Sequence, residues 1–447
     1  MCGFLYASFK IDKELLKNSE DLVQRRGPDH TNVEYIDGET FVHYLLHITG
    51  EKTPQPLKSG NIKLVYNGEV YNYQDLGSFK SDGYSILESY KSSGAKGLKN
   101  LDGEFSGVIK DDDTLVLFRD TFGTKPMFMS WDSRGICVGS YASQLKKLGF
   151  TNISTVPLNS IISMDLKNQN MSKLEYRSFD LRQHKDNFDD WEQAFYNAMQ
   201  KRTNNTQVSY FIGLSSGYDS GLISCFLNEL KVDYKSYSIL AAEDANVLKA
   251  RGALAPHNEF IHLSQQEYET QKTFLENYCE PFTTPPRRTR ANGYSVLKDK
   301  GAVGTGIVCE KAKQAGCKVY ISGQGSDEIL SDYGHNGRIA PGFLHSTIGG
   351  YFPPDLSTVY PWENFFGGTQ EEFLAKDENV GGTYGLECRY PFLDFDLVQE
   401  FLWLKNDLKN ANYKSPIFHV LTKRGFPIAP NGLFSKVGFR ANSGFRG

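Results

Sequence analysis

VSYFIGLSSGYDSGLISCFLNEL, residues Val208–Leu230, decides how the second half of this chain folds. Val208 to Leu214 is a mostly apolar run of strand length. After the break at Ser215–Gly217, apolar residues return at helical spacing, with Leu222, Ile223, Phe226, Leu227 and Leu230 on one face. A buried-type strand feeding an amphipathic helix starts a βα unit. Two further strand-like runs, Lys235–Leu240 and Lys318–Ser322, are separated by helix-like segments, so the expected closure is a parallel α/β sheet.

Upstream the rhythm differs. Residues 1 to about 180 read as short strands with polar turns: Cys2–Phe9, Ile62–Val70, Phe105–Ile109, Leu115–Arg119 and Ile161–Leu166. KDDD at Lys110–Asp113 is placed as a hairpin turn, with Glu14–Arg25 and Ser85–Tyr90 as covering helices. These features predict a layered α+β domain over 1–180, a polar linker over 181–190 and a second domain over 191–447.

A length of 447 residues accommodates two or three domains. Net charge is −4 with both signs mixed along the chain, so no basic field is expected to hold nucleic acid or an anionic membrane. Seven cysteines without a CxxC pair argue against a disulfide framework or a zinc site and fit a reducing cytosol. MCGFLYASFKIDKELL has no basic region before its short apolar run, and no stretch approaches the ~18 apolar residues of a membrane span. A cytoplasmic chain is expected.

Cys2 directly follows Met1. Removal of Met1 leaves a thiol and an α-amine on one residue, and that amine, with a pKa of about 7.7–8, is able to take the thiol proton. Alone, Cys2 reads first as a small buried cysteine. It is followed by Arg26-Gly27-Pro28-Asp29, then Asn67-Gly68-Glu69-Val70-Tyr71-Asn72, then Arg119 to Pro126, RDTFGTKP. In order and spacing this set resembles the class II glutamine amidotransferase domain over roughly the first 165 residues. The resemblance implies the four-layer αββα sandwich of N-terminal nucleophile hydrolases. It makes Cys2 the nucleophile toward a glutamine amide, Asn67 and the Gly68 N–H the oxyanion hole, Asp82 the holder of the glutamine α-amine and Glu69 a further glutamine-binding residue. Asn67-Gly68 alone would read as a hairpin turn. Where the family carries an arginine for the glutamine carboxylate, HYLLHI at His43–Ile48 puts Leu45. Arg26 is a candidate substitute, and His47 another, alongside its reading as an ordinary histidine.

In the second half, Ser215-Ser216-Gly217-Tyr218-Asp219-Ser220 lies where backbone N–H groups and a helix N-terminus suit phosphate. It resembles the SGGxDS loop of the N-type ATP pyrophosphatases, with Ser216 replacing a glycine; a helix cap is the plain alternative. Ser322-Gly323-Gln324-Gly325-Ser326-Asp327-Glu328 resembles the SGxGxDE signature of asparagine synthetases, ECRYPFLD at Glu387–Asp394 their ExRxPFLD segment, and Lys414-Ser415-Pro416-Ile417 the segment of their active-site lysine. Loops at the carboxyl ends of parallel strands converge, so Asp219 and Asp327 are expected to meet around Mg²⁺ and pyrophosphate oxygens. Ile239 is placed to touch adenine or to fill the sheet core. Lys414 is expected on phosphate charge, the alternative being a solvated lysine in the polar Lys409–Lys414 stretch.

With both halves counted, the chain resembles the asparagine synthetase family. That resemblance implies ATP and Mg²⁺ as cofactors, and glutamine, ATP and an acid, aspartate first, as partners, with an acyl-adenylate intermediate and ammonia travelling through the interior. Oligomeric state is not legible, although a homodimer is compatible with the aromatic content. The sequence departs from the aspartate pattern at Gln324, which is no base, at Gly301–Gly306, and in the Arg287–Arg290 run, which reads as an anion grip or a solvated surface. Another acid, or a silent nucleotide or glutamine sensor, is therefore carried as an alternative. A cyclase of the β-lactam synthetase kind fits less well, because Cys2 is present.

Overall fold

The computed structural model describes residues 2–168, 170–205, 207–240, 243–281, 300–340, 343 and 345–429. The run at Arg287–Arg290 lies outside the described residues. The chain divides into two units. Met1–Ser178, Tyr278–Glu280 and Gly381–Glu387 form the first, and Phe179–Asn277, Pro281–Val380 and Cys388–Gly447 form the second.

In the first unit the strands are, in chain order, β1 (Gly3–Ala7), β2 (His30–Ile36), β3 (Glu39–Leu45), β4 (Leu57–Ser59), β5 (Ile62–Val70) and β6 (Gly103–Asp111). They continue as β7 (Thr114–Arg119), β8 (Phe128–Asp132), β9 (Gly135–Gly139), β10 (Ser154–Thr155), β11 (Ser160–Asp165) and β12 (Met171–Glu175). They make two six-stranded sheets, in the orders β10-β8-β9-β1-β3-β2 and β12-β11-β7-β6-β5-β4. The strand alternation explains the layering. Phe4 and Tyr6 of β1 join Val65 of β5 and Leu117 of β7 in a core between the sheets. Leu5 and Ala7 point the other way, onto Leu16 and Leu145 from the helices Lys13–Ser19 and Ala142–Lys147. On the outer face of the second sheet, Leu64 and Phe105 pack against Ile86, Leu87 and Tyr90 of helix Gly83–Ser93. The result is an αββα sandwich. The KDDD turn is confined to Asp112 and Asp113, with Asp112 at φ +44°, while Lys110 and Asp111 remain in β6.

The second unit is built on β13 (Tyr210–Gly213), β14 (Tyr234–Ile239), β15 (His257–Ile261) and β16 (Val319–Ile321). The ribbon β17 (Gly334–His335) and β18 (Arg338–Ile339) precedes β19 (Glu387–Arg389). The main sheet runs β15-β14-β13-β16-β19, and β13 pairs in parallel with both β14 and β16. The helix after β13, Tyr218–Glu229, buries Leu222, Ile223, Phe226 and Leu227, as its periodicity predicts. The strand order reverses at β13 and β16, and in such sheets ligands bind beyond the carboxyl ends of those two strands. The polar stretch 181–190 packs within this unit: Gln183 Nε2 donates to the carbonyls of Pro353 and Pro354 at 2.8 and 2.7 Å, and Lys185 pairs with Asp190 and Glu400.

Candidate functional site

The first unit contains a partly open cavity whose wall includes Cys2, Leu45, His47, Gly68, Glu69, Asp82 and Glu387. Cys2 lies just before β1, with its Sγ 3.7 Å from the Leu46 carbonyl. Arg26, fully buried, donates from Nε to the Cys2 carbonyl at 3.0 Å and from Nη1 to the Tyr141 hydroxyl at 3.1 Å. It thereby fixes the backbone of the thiol residue, and it is absent from the cavity wall. Burial pushes the Cys2 thiol up to about 11, while the terminal amine works in the opposite direction. A thiol this high is protonated near neutral pH and needs a base.

Asn67 and Gly68 lie in the middle of β5 rather than in a hairpin turn. Gly68 has φ +131°, and a Cβ there would sit 1.9 Å from the Glu104 carbonyl oxygen, so the position requires glycine. Asn67 is fully buried, and among the described residues neither its Nδ2 nor its Oδ1 has a hydrogen-bond partner. Holding a buried amide in that state costs about 1–3 kcal/mol, a cost that suits a donor kept for a reacting group. Parity along β5 sets Asn67 on the same inter-sheet side as Val65, and continuing the Tyr6–Phe4 alternation back to Cys2 reaches that side too. Asp82 accepts from Tyr66 OH at 2.8 Å and Val70 N at 3.0 Å, and burial lifts its carboxyl to about 6.

The RDTFGTKP segment ties loops to the sheet. Asp120 accepts from the backbone of Phe105, Phe122 and Thr124, and Arg119 donates to the Val156, Gly123 and Lys125 carbonyls.

In the second unit, three residues far apart in sequence converge where the sheet reverses. Lys414 Nζ lies 2.5 Å from Asp219 Oδ1 and 2.7 Å from Asp327 Oδ1. Ser326 Oγ donates to Asp219 at 2.7 Å, and Tyr413 OH to Asp327 at 2.7 Å. The Lys414 side chain is fully buried, so it is not the solvated lysine that the polar stretch allowed; Lys409 is buried as well. Gly323 packs closely at this point: a Cβ on it would stand 3.0 Å from Asp219 Cβ, so one of the two would have to give by a few tenths of an ångström. The two carboxylates offer hard oxygen donors. Among the described residues no three His, Cys, Asp or Glu side chains group as a metal cage.

The loop after β13 is held by Arg251, whose Nη1 donates to the Ser215 and Gly217 carbonyls at 2.6 and 2.7 Å. Ser215 N and Gly217 N bond to Ser220 Oγ and Ser215 Oγ inside the loop. Ser216 N donates instead to the Glu243 carboxylate at 2.7 Å, and Ser216 Oγ bonds to the same carboxylate. A carboxylate thus occupies the donors expected to meet phosphate. Ser322 Oγ donates to Asp377 at 2.6 Å, and Asp377, pushed upward by burial, also bonds the Gln324 side chain. Ile239 is buried at the end of β14, beside Ile261 in register. Residues 301–306 lie in helix Lys300–Gln314, with Ala302 and Val303 buried.

Sequence reasoning missed Glu243, Arg251 and Asp377, which carry no local motif. It also missed the place of Glu387 beside Cys2, although that residue opens the ECRYPFLD segment.

Among the described residues no helix is long and apolar enough to cross a membrane. Residues 1–179 match the glutamine amidotransferase domain family and residues 190–352 the asparagine synthase family. The glutamine-hydrolysing asparagine synthetase of Zea mays is 25% identical, over 91% of this chain and 72% of its own. Asparagine synthetase B of Escherichia coli K12 is also 25% identical, over 86% and 71%. A probable asparagine synthetase of Acanthamoeba polyphaga mimivirus is 25% identical, over 89% and 77%. A glutamine phosphoribosylpyrophosphate amidotransferase from B. subtilis aligns with 73% of this chain and 77% of its own at 14% identity, with a TM-score of 0.35. The chain is an enzyme that joins a glutamine amidotransferase domain to an asparagine synthase domain, and over most of its length it is similar to glutamine-hydrolysing asparagine synthetases.

Proposed function

We propose that this enzyme activates a carboxylic acid with ATP as an acyl-adenylate and aminates it with ammonia released at Cys2, aspartate to asparagine being the first reading. The convergence of Lys414 on Asp219 and Asp327 at the ends of β13 and β16 carries this proposal. A buried cation between two carboxylates is the charge pattern expected of a site that handles triphosphate and a metal.

At the first site the α-amine of Cys2, freed by loss of Met1, takes the thiol proton. The thiolate attacks the donor carboxamide, and Asn67 Nδ2 with the Gly68 N–H receives the oxyanion, a role worth several kcal/mol. Ammonia leaves, and water hydrolyses the thioester.

At the second site Ser216 and the N-terminus of helix Tyr218–Glu229 bind phosphate oxygens, which requires Glu243 to yield Ser216. Magnesium held by Asp219 and Asp327 would neutralise phosphate charge. The acid oxygen attacks the α-phosphorus, pyrophosphate departs, and Lys414 stabilises the charge that develops. Ammonia then displaces AMP.

A second reading, amination of a different acid, is favoured by the bond between Gln324 and Asp377. It replaces a free carboxylate at the loop tip with an amide that is no base. Pyrophosphate release with ammonium and a panel of acids separates the two: aspartate-dependent release supports the first, release with another acid alone the second. No release with any acid refutes both.

A further inference from the structure

A free amino acid such as glutamine brings two charges to the thiol cavity, an ammonium and a carboxylate. The wall offers for the first what it lacks for the second. Glu51, Glu69, Asp82 and Glu387 line the cavity, and no Lys or Arg does so among the described residues. Arg26 faces the Cys2 carbonyl and Tyr141 instead. Lys80 is exposed and pairs with Glu51 at 3.6 Å, and Lys52 donates to the Asp29 carbonyl at 3.3 Å. The His47 Nε2 is engaged with the Gly50 carbonyl at 2.9 Å. The wall is otherwise apolar at Leu45, buried at the end of β3. A carboxylate placed there would lose water, gain no cation and stand near like charges.

We propose that the thiol site draws nitrogen from a carboxamide with a free α-amine and an uncharged α-acyl group, an N-terminal glutaminyl peptide rather than free glutamine, with Leu45 setting that preference. The inference rests on the thiol-amidase reading above. The Cys2 thiolate adds to the side-chain carbonyl carbon and the C–N bond breaks. Ammonia leaves with the proton held by the Cys2 amine, and water then cleaves the thioester to give the glutamyl peptide and the free thiol.

The test is ammonia release from glutamine, from its α-N-methylamide and from glutaminylglycine, by the unaltered chain, Leu45→Arg and Cys2→Ala. The expected result is a kcat/KM for both masked donors about tenfold or more above glutamine, the scale of one charge contact, with the order inverted in Leu45→Arg and all release lost in Cys2→Ala. Cys2-dependent preference of the unaltered chain for free glutamine overturns the inference and leaves the amidase reading standing. No release from any donor, by the unaltered chain or by Leu45→Arg, overturns both. The comparison on the unaltered chain decides even where Leu45→Arg does not fold.

Discussion

Replacing Lys414 by methionine removes a buried ammonium of similar length and leaves its two carboxylates facing each other. Asp219 Oδ1 and Asp327 Oδ1 lie 2.5 and 2.7 Å from the Nζ, so the two oxygens are held no more than about 5 Å apart. Two like charges at that distance repel by about 3 kcal/mol at an effective dielectric near 20. Both side chains keep some exposure, 13% and 15%, so solvent trims this toward about 2 kcal/mol. In a unit of this size that corresponds to roughly 4–8 °C in the melting of the second unit. The assay is calorimetry of the unaltered chain and Lys414→Met, each with and without millimolar Mg²⁺ and without ATP. Magnesium should restore much of the loss in the variant and add little to the unaltered chain, whose ammonium already balances the pair. Equal melting temperatures in the absence of Mg²⁺, or a variant indifferent to the ion, would refute this electrostatic account.

Cys2→Ala should abolish amide-dependent product formation and retain synthesis with ammonium; an N-terminal extension that prevents loss of Met1 should do the same, because the buried thiol, raised to about 11, then lacks its base. Product yield with each nitrogen source reads both. Glu243→Ala frees Ser216 N and Oγ, and the KM for ATP should fall several-fold with kcat little changed, since a competing anion is removed; a higher KM would make Glu243 part of the nucleotide site. Glu280, whose carboxylate accepts from Ser143 N at 3.0 Å, is lifted by burial from 4.5 to about 7. The unfolded chain ionises first, so stability falls as pH rises from about 4.5 to 7 and stays lower above that. Glu280→Gln should flatten this slope and raise stability at pH 8 by about 2 kcal/mol, measured by urea unfolding across pH.

Local pattern carried much of this molecule. The alternation through Ile62–Val70 coincides with β5 residue for residue, and Val208–Leu230 holds the strand and helix that its spacing predicts. Asp219, Asp327 and Lys414 were each legible from a motif, and strand-end geometry predicts that the two carboxylates meet. What escaped is contact through space without a local signature. Tyr278–Glu280 and Gly381–Glu387 belong to the first unit although they lie in the second half of the chain, and periodicity holds no information about such returns. Glu243 on Ser216 and Asp377 beneath Ser322 are single acids in ordinary surroundings until the fold brings them to a loop. The alternative reading of Lys409–Lys414 as a solvated run fails for a related reason. Lys409 is buried on the Gln183 side chain and the Leu402 and Leu404 carbonyls, acceptors that composition does not reveal.

Activation of the acid as an adenylate is tested most directly by following oxygen. Supplied with ATP, Mg²⁺, ammonium and an acid labelled with heavy oxygen in its carboxylate, the enzyme should transfer one labelled oxygen to AMP while pyrophosphate stays unlabelled. Label in inorganic phosphate with ADP as coproduct, or amide formed with no label in AMP, would contradict the account.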